Sequence, residues 1–244
     1  MSEPLHIKLH PGINPPNFNC KVISSEIIDG SPWVQFDESY YYPSGGGQPA
    51  DHGIISSDGT KYSILDVRKR TEMLHQLDDS VDIDSLMNKS FTAEIDQQRR
   101  GILCRMHTAQ HLISAAADEL FGATTVGNQI NIDKTRIDIG IESRESFSKD
   151  DLESSVNNFI DSEVDVSMSF MPRNQLIDDS LVRVNMNLIP KHINQLRVIT
   201  IEGIDICPCA GTHVGNTGDI GHIEIGKVKS KGAGKLRVEY TLIE

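Results

Sequence analysis

The chain has 244 residues and a formal net charge of −12 at neutral pH, an acid excess that argues against general nucleic-acid binding while leaving room for a local basic patch. Its hydrophobic fraction of 38% can build a core for one large or two modest domains. Four cysteines without a disulfide framework, no recognisable signal peptide and no apolar run long enough for a bilayer predict a soluble cytoplasmic protein that makes no membrane contact.

The first twenty residues carry Pro4, Pro11, Pro15 and Pro16 and are expected to form a surface arm or a lead-in strand. From Cys20 to Asp96 the pattern is β, with short runs at 22–23, 27–28, 33–36 and 40–42. Asp58-Gly59 marks a hairpin between 53–55 and 62–65, and 91–95 closes the segment. Many short strands separated by turns suggest a small β-barrel over residues 1–95. Within it lies a glycine-rich stretch, Gly45-Gly46-Gly47-Gln48-Pro49-Ala50-Asp51. Glycines there permit either a tight barrel turn or close approach by a partner.

At Asp96 the pattern changes. Asp96 is placed to cap a helix running to Leu120, with Gly122 just beyond it. Ile102, Met106, Ala109, Ile113, Ala116 and Leu120 recur at helical spacing as its core face. Residues 128–141 read as strand, with Ile130, Ile132, Ile137 and Ile139 alternating. Ser148-x-x-Asp151 opens a second helix carrying Leu152, Val156, Phe159 and Ile160. Residues 164–170, 196–201, 222–225 and 235–242 read as strands. Helices on an antiparallel sheet give an α+β unit over residues 96–244.

The first helix holds His107 and His111, one turn apart on the same face and about 6 Å apart at Cβ. A hundred residues later stands Cys207-Pro208-Cys209-Ala210-Gly211-Thr212-His213. Each pair alone is a weak signal. Together, His107, His111, Cys209 and His213 make a tetrahedral donor set suited to one Zn²⁺. Spacing leaves Cys207 in competition with Cys209. Thr108 stands where helical metalloproteases carry a glutamate base, so a protease is not expected. Four protein donors are typical of structural zinc. Catalysis would need a ligand such as His213 to yield, or the ion to expand its coordination.

Lys227, Lys229, Lys231, Lys235 and Arg237 occupy a stretch without acidic residues, interrupted by Gly232 and Gly234. With Arg99, Arg100 and Arg105 they are candidates for phosphate contact, the alternative being a solvated lysine hairpin.

These motifs carry a resemblance. His107-Thr-Ala-Gln-His111 with Cys209-Ala-Gly-Thr-His213 is similar to the editing domain of alanyl-tRNA synthetase and to the free-standing AlaX editing proteins. The segment Gly45, Gly46, Gly47, Gln48 and Asp51 narrows it to the synthetase and the medium-length AlaX type, since the shortest AlaX proteins lack it. The threonyl-tRNA synthetase editing domain shares the metal motifs only. The similarity extends from about Cys20 to the C-terminus. One departure is Ala210, where the family often has glycine. The resemblance implies a β-barrel followed by a zinc-containing editing domain. It also implies ATP-independent hydrolysis, in trans, of serine or glycine from the acceptor end of alanine tRNA, sparing alanyl-tRNA and so serving translation fidelity. His107, His111, Thr108 and Gln110 are the implied catalytic candidates. Other aminoacyl-tRNA editing, or a non-catalytic tRNA-binding module with structural zinc, remains as an alternative. The sequence specifies no oligomeric state.

Editing has a physical logic. A hydrophobic pocket rejects an added hydroxyl by only about a hundredfold. A site built to hydrogen-bond that hydroxyl leaves polar groups unpaired when alanine enters, at about 1–3 kcal/mol per group. Gln48, Thr108, Gln110 and Thr212 are the polar residues expected near the metal.

Overall fold

A computed structural model describes residues 5–9, 14–176, 179–184, 186, 189–232 and 234–243. Strands β1 (Phe18–Ile28), β2 (Ser31–Phe36), β3 (Gly53–Ser57), β4 (Thr60–Lys69), β5 (Met73–Leu77) and β6 (Ser90–Ile95) close into a barrel in the order β1-β2-β5-β4-β3-β6. Val22, Val34, Phe36, Ile55, Ile64, Leu77 and Phe91 fill it. The β3–β4 turn holds Asp58 and Gly59 at positive φ, as a two-residue hairpin requires.

Three local expectations change. The runs at 22–23 and 27–28 belong to one strand, β1, with an irregularity between Val22 and Ser24. Residues 40–42 are not a strand. Tyr41 and Tyr42 turn inward, and the Tyr41 hydroxyl donates to the carbonyls of Ile54 and Glu94, so the aromatic run caps the barrel instead of pairing with it. In the lead-in, Leu5–Ile7 form a 3-10 turn with His6 buried, whereas Pro4 and Pro11 lie outside the described residues.

Helix α1 (Gln97–Phe121) begins at Asp96, whose carboxylate accepts from the Arg99 amide, and ends at Gly122 with φ +60°. It is buried on nearly every side from Leu103 to Ala117, so it is a central element and not a one-faced one. Leu120, expected in the core, is 44% exposed because the last turn emerges from it. Strands β7 (Thr124–Gln129) and β8 (Thr135–Gly140), helix α2 (Lys149–Asp161), strand β9 (Val166–Pro172) and the short helix α3 (Arg173–Leu176) follow. Strands β10 (Gln195–Ile201), β11 (Asp205–Pro208), β12 (Ile223–Ser230) and β13 (Lys235–Leu242) complete the chain. They form two antiparallel sheets, β12-β13-β8-β7 and β11-β10-β9. The stretch 128–141 is therefore not one strand but the end of β7, a turn at 130–134 and β8. The Asn131 amide donates to Thr135 Oγ1 at 3.2 Å, Ile130 is buried and Ile132 is outside.

Helix α1 and the barrel are joined through Arg100 and Asp51. The guanidinium grips both carboxylate oxygens, and both side chains are fully buried. Arg100, a candidate tRNA contact by sequence, is thus withdrawn from solvent: its place in the first turns of α1 faces the barrel, and Asp51 compensates its charge there.

Candidate metal centre

Helix α1 presents His107 and His111 toward the loop that follows β11, where Cys209 and His213 stand. One donor atom from each of the four lies within 4.8 Å of the others. Cys209 Sγ is 3.6 Å from His107 Nε2 and 3.3 Å from His213 Nε2.

What stands behind each imidazole fixes its tautomer. His107 Nδ1 lies 2.7 Å from Gln48 Oε1. That oxygen also accepts from the Thr212 amide, and Gln48 Nε2 donates to Thr212 Oγ1, so the amide orientation is set and His107 Nδ1 is the donor. His111 Nδ1 lies 2.9 Å from Asp205 Oδ2. His213 Nδ1 lies 3.2 Å from Thr108 Oγ1, whose own proton goes to the Cys104 carbonyl. All three imidazoles therefore carry a proton on Nδ1 and aim Nε2 inward, the arrangement that metal-binding histidines adopt.

The cysteines divide. Burial pushes the Cys209 thiol up, but His107 and His213 outweigh it and hold the group well below its ordinary range. Burial, Asp205 and Cys209 raise Cys207 well above it. Cys209 is the thiolate that meets the three imidazoles. Cys207 sits on β11 and joins only a second grouping with His111 and Asp205. His111 is pulled down by burial, but hydrogen bonds with Asp205 and Cys209 raise it to about 10. Burial and the neighbouring His107 lower His213 well below its usual value. A proton on His111 or a cation must sit among these groups, and the mixed imidazole–thiolate set fits Zn²⁺.

Two close approaches shape the site. A Cβ on Gly211 would lie 2.1 Å from His107 Cε1. The neighbouring Ala210 is exposed, on the rim of the same cavity. Gly46 and Gly47 have φ of +58° and +86° in a tight turn closed by reciprocal Gly45–Gln48 backbone hydrogen bonds. A Cβ on Gly47 would meet Asn128 Oδ1 at 2.0 Å, and the Gly47 carbonyl accepts from the Ile130 amide. The triple glycine is thus a barrel turn pressed against β7, and it delivers Gln48 to His107.

The donors open onto a cavity of about 470 Å³ lined by His107, His111, Cys209, Gln110, Ser114, Thr125 and Asn128 among others. Gln110 lines it directly. Thr108 does not: it is fully buried behind His213, so it touches neither cavity nor substrate space. Gln110, Asn128, Ser114 and Thr125 form one hydrogen-bonded row along the wall.

Among the described residues the cavity lining includes the cations Lys69 and Arg183, which the sequence did not single out. Lys227, Lys229, Lys231 and Lys235 are exposed on the β12–β13 hairpin, away from the cavity lining. Arg237 is paired with Asp138 of β8 at 2.7 Å, an acidic partner that only the fold supplies. Arg99 donates to the Ala50 carbonyl and Arg105 to that of Ile220. Asp205 was also missed. It lies two residues before Cys207, but nothing in the spacing tied it to His111.

Residues 196–239 match the family described as the threonyl and alanyl tRNA synthetase second additional domain. The chain is 31% identical over 218 residues to the alanyl-tRNA editing protein AlaX-M of Saccharolobus solfataricus, covering 88% of this chain and 90% of that protein. It is 31% identical over 227 residues to the AlaX-M protein of Methanosarcina barkeri, covering 90% and 92%. It is 34% identical over 237 residues to the alanine–tRNA ligase of Methanobrevibacter smithii, covering 92% of this chain but 26% of the ligase. The chain therefore spans about a quarter of that ligase and nearly all of each editing protein.

Proposed function

Since the chain belongs to the AlaX-M family of alanyl-tRNA editing proteins, we propose that it hydrolyses the ester of alanine tRNA mischarged with serine, and with glycine where that is formed. The observation that carries this reading is the convergence of His107, His111, Cys209 and His213, with the first three on the wall of a cavity and His213 buried. Bound Zn²⁺ supplies Lewis-acid polarisation of an ester carbonyl or of a nearby water.

The chain's own residues do the rest. Gln48, Asp205 and Thr108 keep the three Nε2 lone pairs pointed inward. The cavity has the volume of a small-ligand site and suits a terminal aminoacyl-adenosine. The row Asn128–Gln110–Ser114–Thr125 offers hydroxyl and amide partners to a serine side chain. Alanine would leave some of them unpaired, at about 1–3 kcal/mol each. Lys69 and Arg183 at the cavity, with Lys227, Lys229, Lys231 and Lys235 outside it, are the cations proposed to hold the acceptor end. No helix among the described residues is long and apolar enough to cross a membrane.

The closed donor set favours one rival: a tRNA-binding module whose zinc is structural. The two part in a single assay. Purified protein is incubated with seryl-, glycyl- and alanyl-charged alanine tRNA, and surviving ester is counted. Loss of seryl ester with alanyl ester spared supports editing. Retention of tRNA with no ester turnover supports the rival.

A further inference from the structure

Arg183, within residues 179–184 after α3, stands on the wall of the cavity. Arg183 makes contacts in two directions. Nε lies 2.9 Å from Asp118 Oδ2 and Nη2 3.4 Å from Glu119 Oε1, both near the end of α1. Nη1 lies 2.7 Å from the Ile204 carbonyl and 3.2 Å from Asp205 Oδ1. The other oxygen of Asp205 faces His111 Nδ1 at 2.9 Å, and Asp205 and His111 are both buried.

We infer that Arg183 is a positioning residue: by engaging Asp205 Oδ1 it holds Oδ2 against His111 Nδ1, and so keeps His111 Nε2 aimed at a cation. This rests on reading the four donors as a metal site. As long as residue 205 is a carboxylate, both ends accept, and Arg183 merely holds it in place. The consequence becomes visible in Asp205→Asn. Arg183 is a pure donor. It forces the asparagine to turn Oδ1 toward the guanidinium and its NH₂ toward His111 Nδ1. An imidazole receiving a hydrogen bond at Nδ1 carries its proton on Nε2 and cannot ligate through it. Remove the guanidinium, and the amide is free to rotate and offer its oxygen to His111.

Two damaging substitutions should therefore partly repair each other. Zinc affinity is read by competition with a chromophoric chelator, without reference to ester turnover. Asp205→Asn is expected to weaken zinc binding about 100-fold, Arg183→Met about 10-fold or less, and the double variant to return to within about 10-fold of the unmodified protein. Asp118→Asn, which removes another Arg183 contact, should stay within about twofold of it. A double variant weaker than Asp205→Asn alone overturns the inference, as does an Asp205→Asn variant that binds as tightly as the unmodified protein. Should the double variant not fold, Arg183→Met alone decides: a several-fold loss of zinc affinity beside an unchanged Asp118→Asn supports the inference, and an Arg183→Met variant binding as tightly as the unmodified protein overturns it. Failure of the unmodified protein to take up zinc removes the metal reading itself, an outcome distinct from both.

Discussion

Substituting Gly211 by alanine tests the packing of the centre at a single atom. The added Cβ would stand 2.1 Å from His107 Cε1 and 2.3 Å from Nδ1. Non-bonded carbon contacts settle near 3.5–4.0 Å, so ring or loop must give by about 1.4 Å. The ring has little freedom, because Gln48 holds Nδ1 at 2.7 Å from the other side. Metal–ligand distances tolerate only about 0.2 Å. Gly211→Ala should therefore cost zinc affinity at least the 10–100-fold seen when a ligand's supporting partner is lost. It should also destabilise the fold by about 1–3 kcal/mol through overpacking. Ala210→Gly, one residue away at an exposed position, is the control and should leave affinity unchanged. Chelator competition and thermal unfolding read both. A Gly211→Ala protein binding zinc within twofold of the unmodified one would refute the argument that His107 is confined.

Zinc uptake should release a proton, because His111 keeps its proton up to about 10 without a cation. Affinity should rise about tenfold per pH unit from neutrality toward that value, and calorimetry in buffers of different ionisation enthalpy measures it. A pH-independent affinity would count against the ligand role of His111. His75, fully buried between Ser39 Oγ and the Val34 carbonyl, is lowered by burial to about 3. It stays neutral in the fold while the unfolded chain takes up a proton below about 6.5. Its stabilising contribution is complete above that pH and is lost as pH falls toward 3, by up to about 1.4 kcal/mol per unit. Urea unfolding of His75→Gln should show a shallower acid decline than the unmodified protein. Arg100→Met leaves Asp51 buried without its partner and should destabilise by about 3–5 kcal/mol. The refolded variant should bind tRNA as the unmodified protein does, whereas neutralising Lys227, Lys229 and Lys231 should weaken binding with a lower salt dependence. Filter binding across salt concentrations separates the two.

Capping chemistry made the helices legible: Asp96 and Ser148 each accept from the amide three residues on, and Gly122 takes the left-handed backbone that ends α1. The donor set was legible for a similar reason, since helical spacing alone puts His107 and His111 on one face. Long-range compensation was not legible. Arg100 looked like a surface cation because its partner, Asp51, is 49 residues away in another element. Arg237 looked free because Asp138 is 99 residues away. The isoleucines 130, 132, 137 and 139 read as one strand, although the odd, five-residue step from 132 to 137 breaks the alternation where the turn ends and β8 begins. Asp205 and Arg183 carry no local signal at all. Their roles exist only once Arg183 and Asp205 on β11 meet α1 at Asp118 and His111.

Two distant motifs are proposed to share one cation, and X-ray absorption on zinc-loaded protein measures that sharing directly. The expected spectrum has three nitrogen scatterers at about 2.0–2.1 Å and one sulfur at about 2.3 Å. A spectrum without sulfur, or with two sulfurs, would contradict the assignment of His107, His111, His213 and Cys209 as the centre.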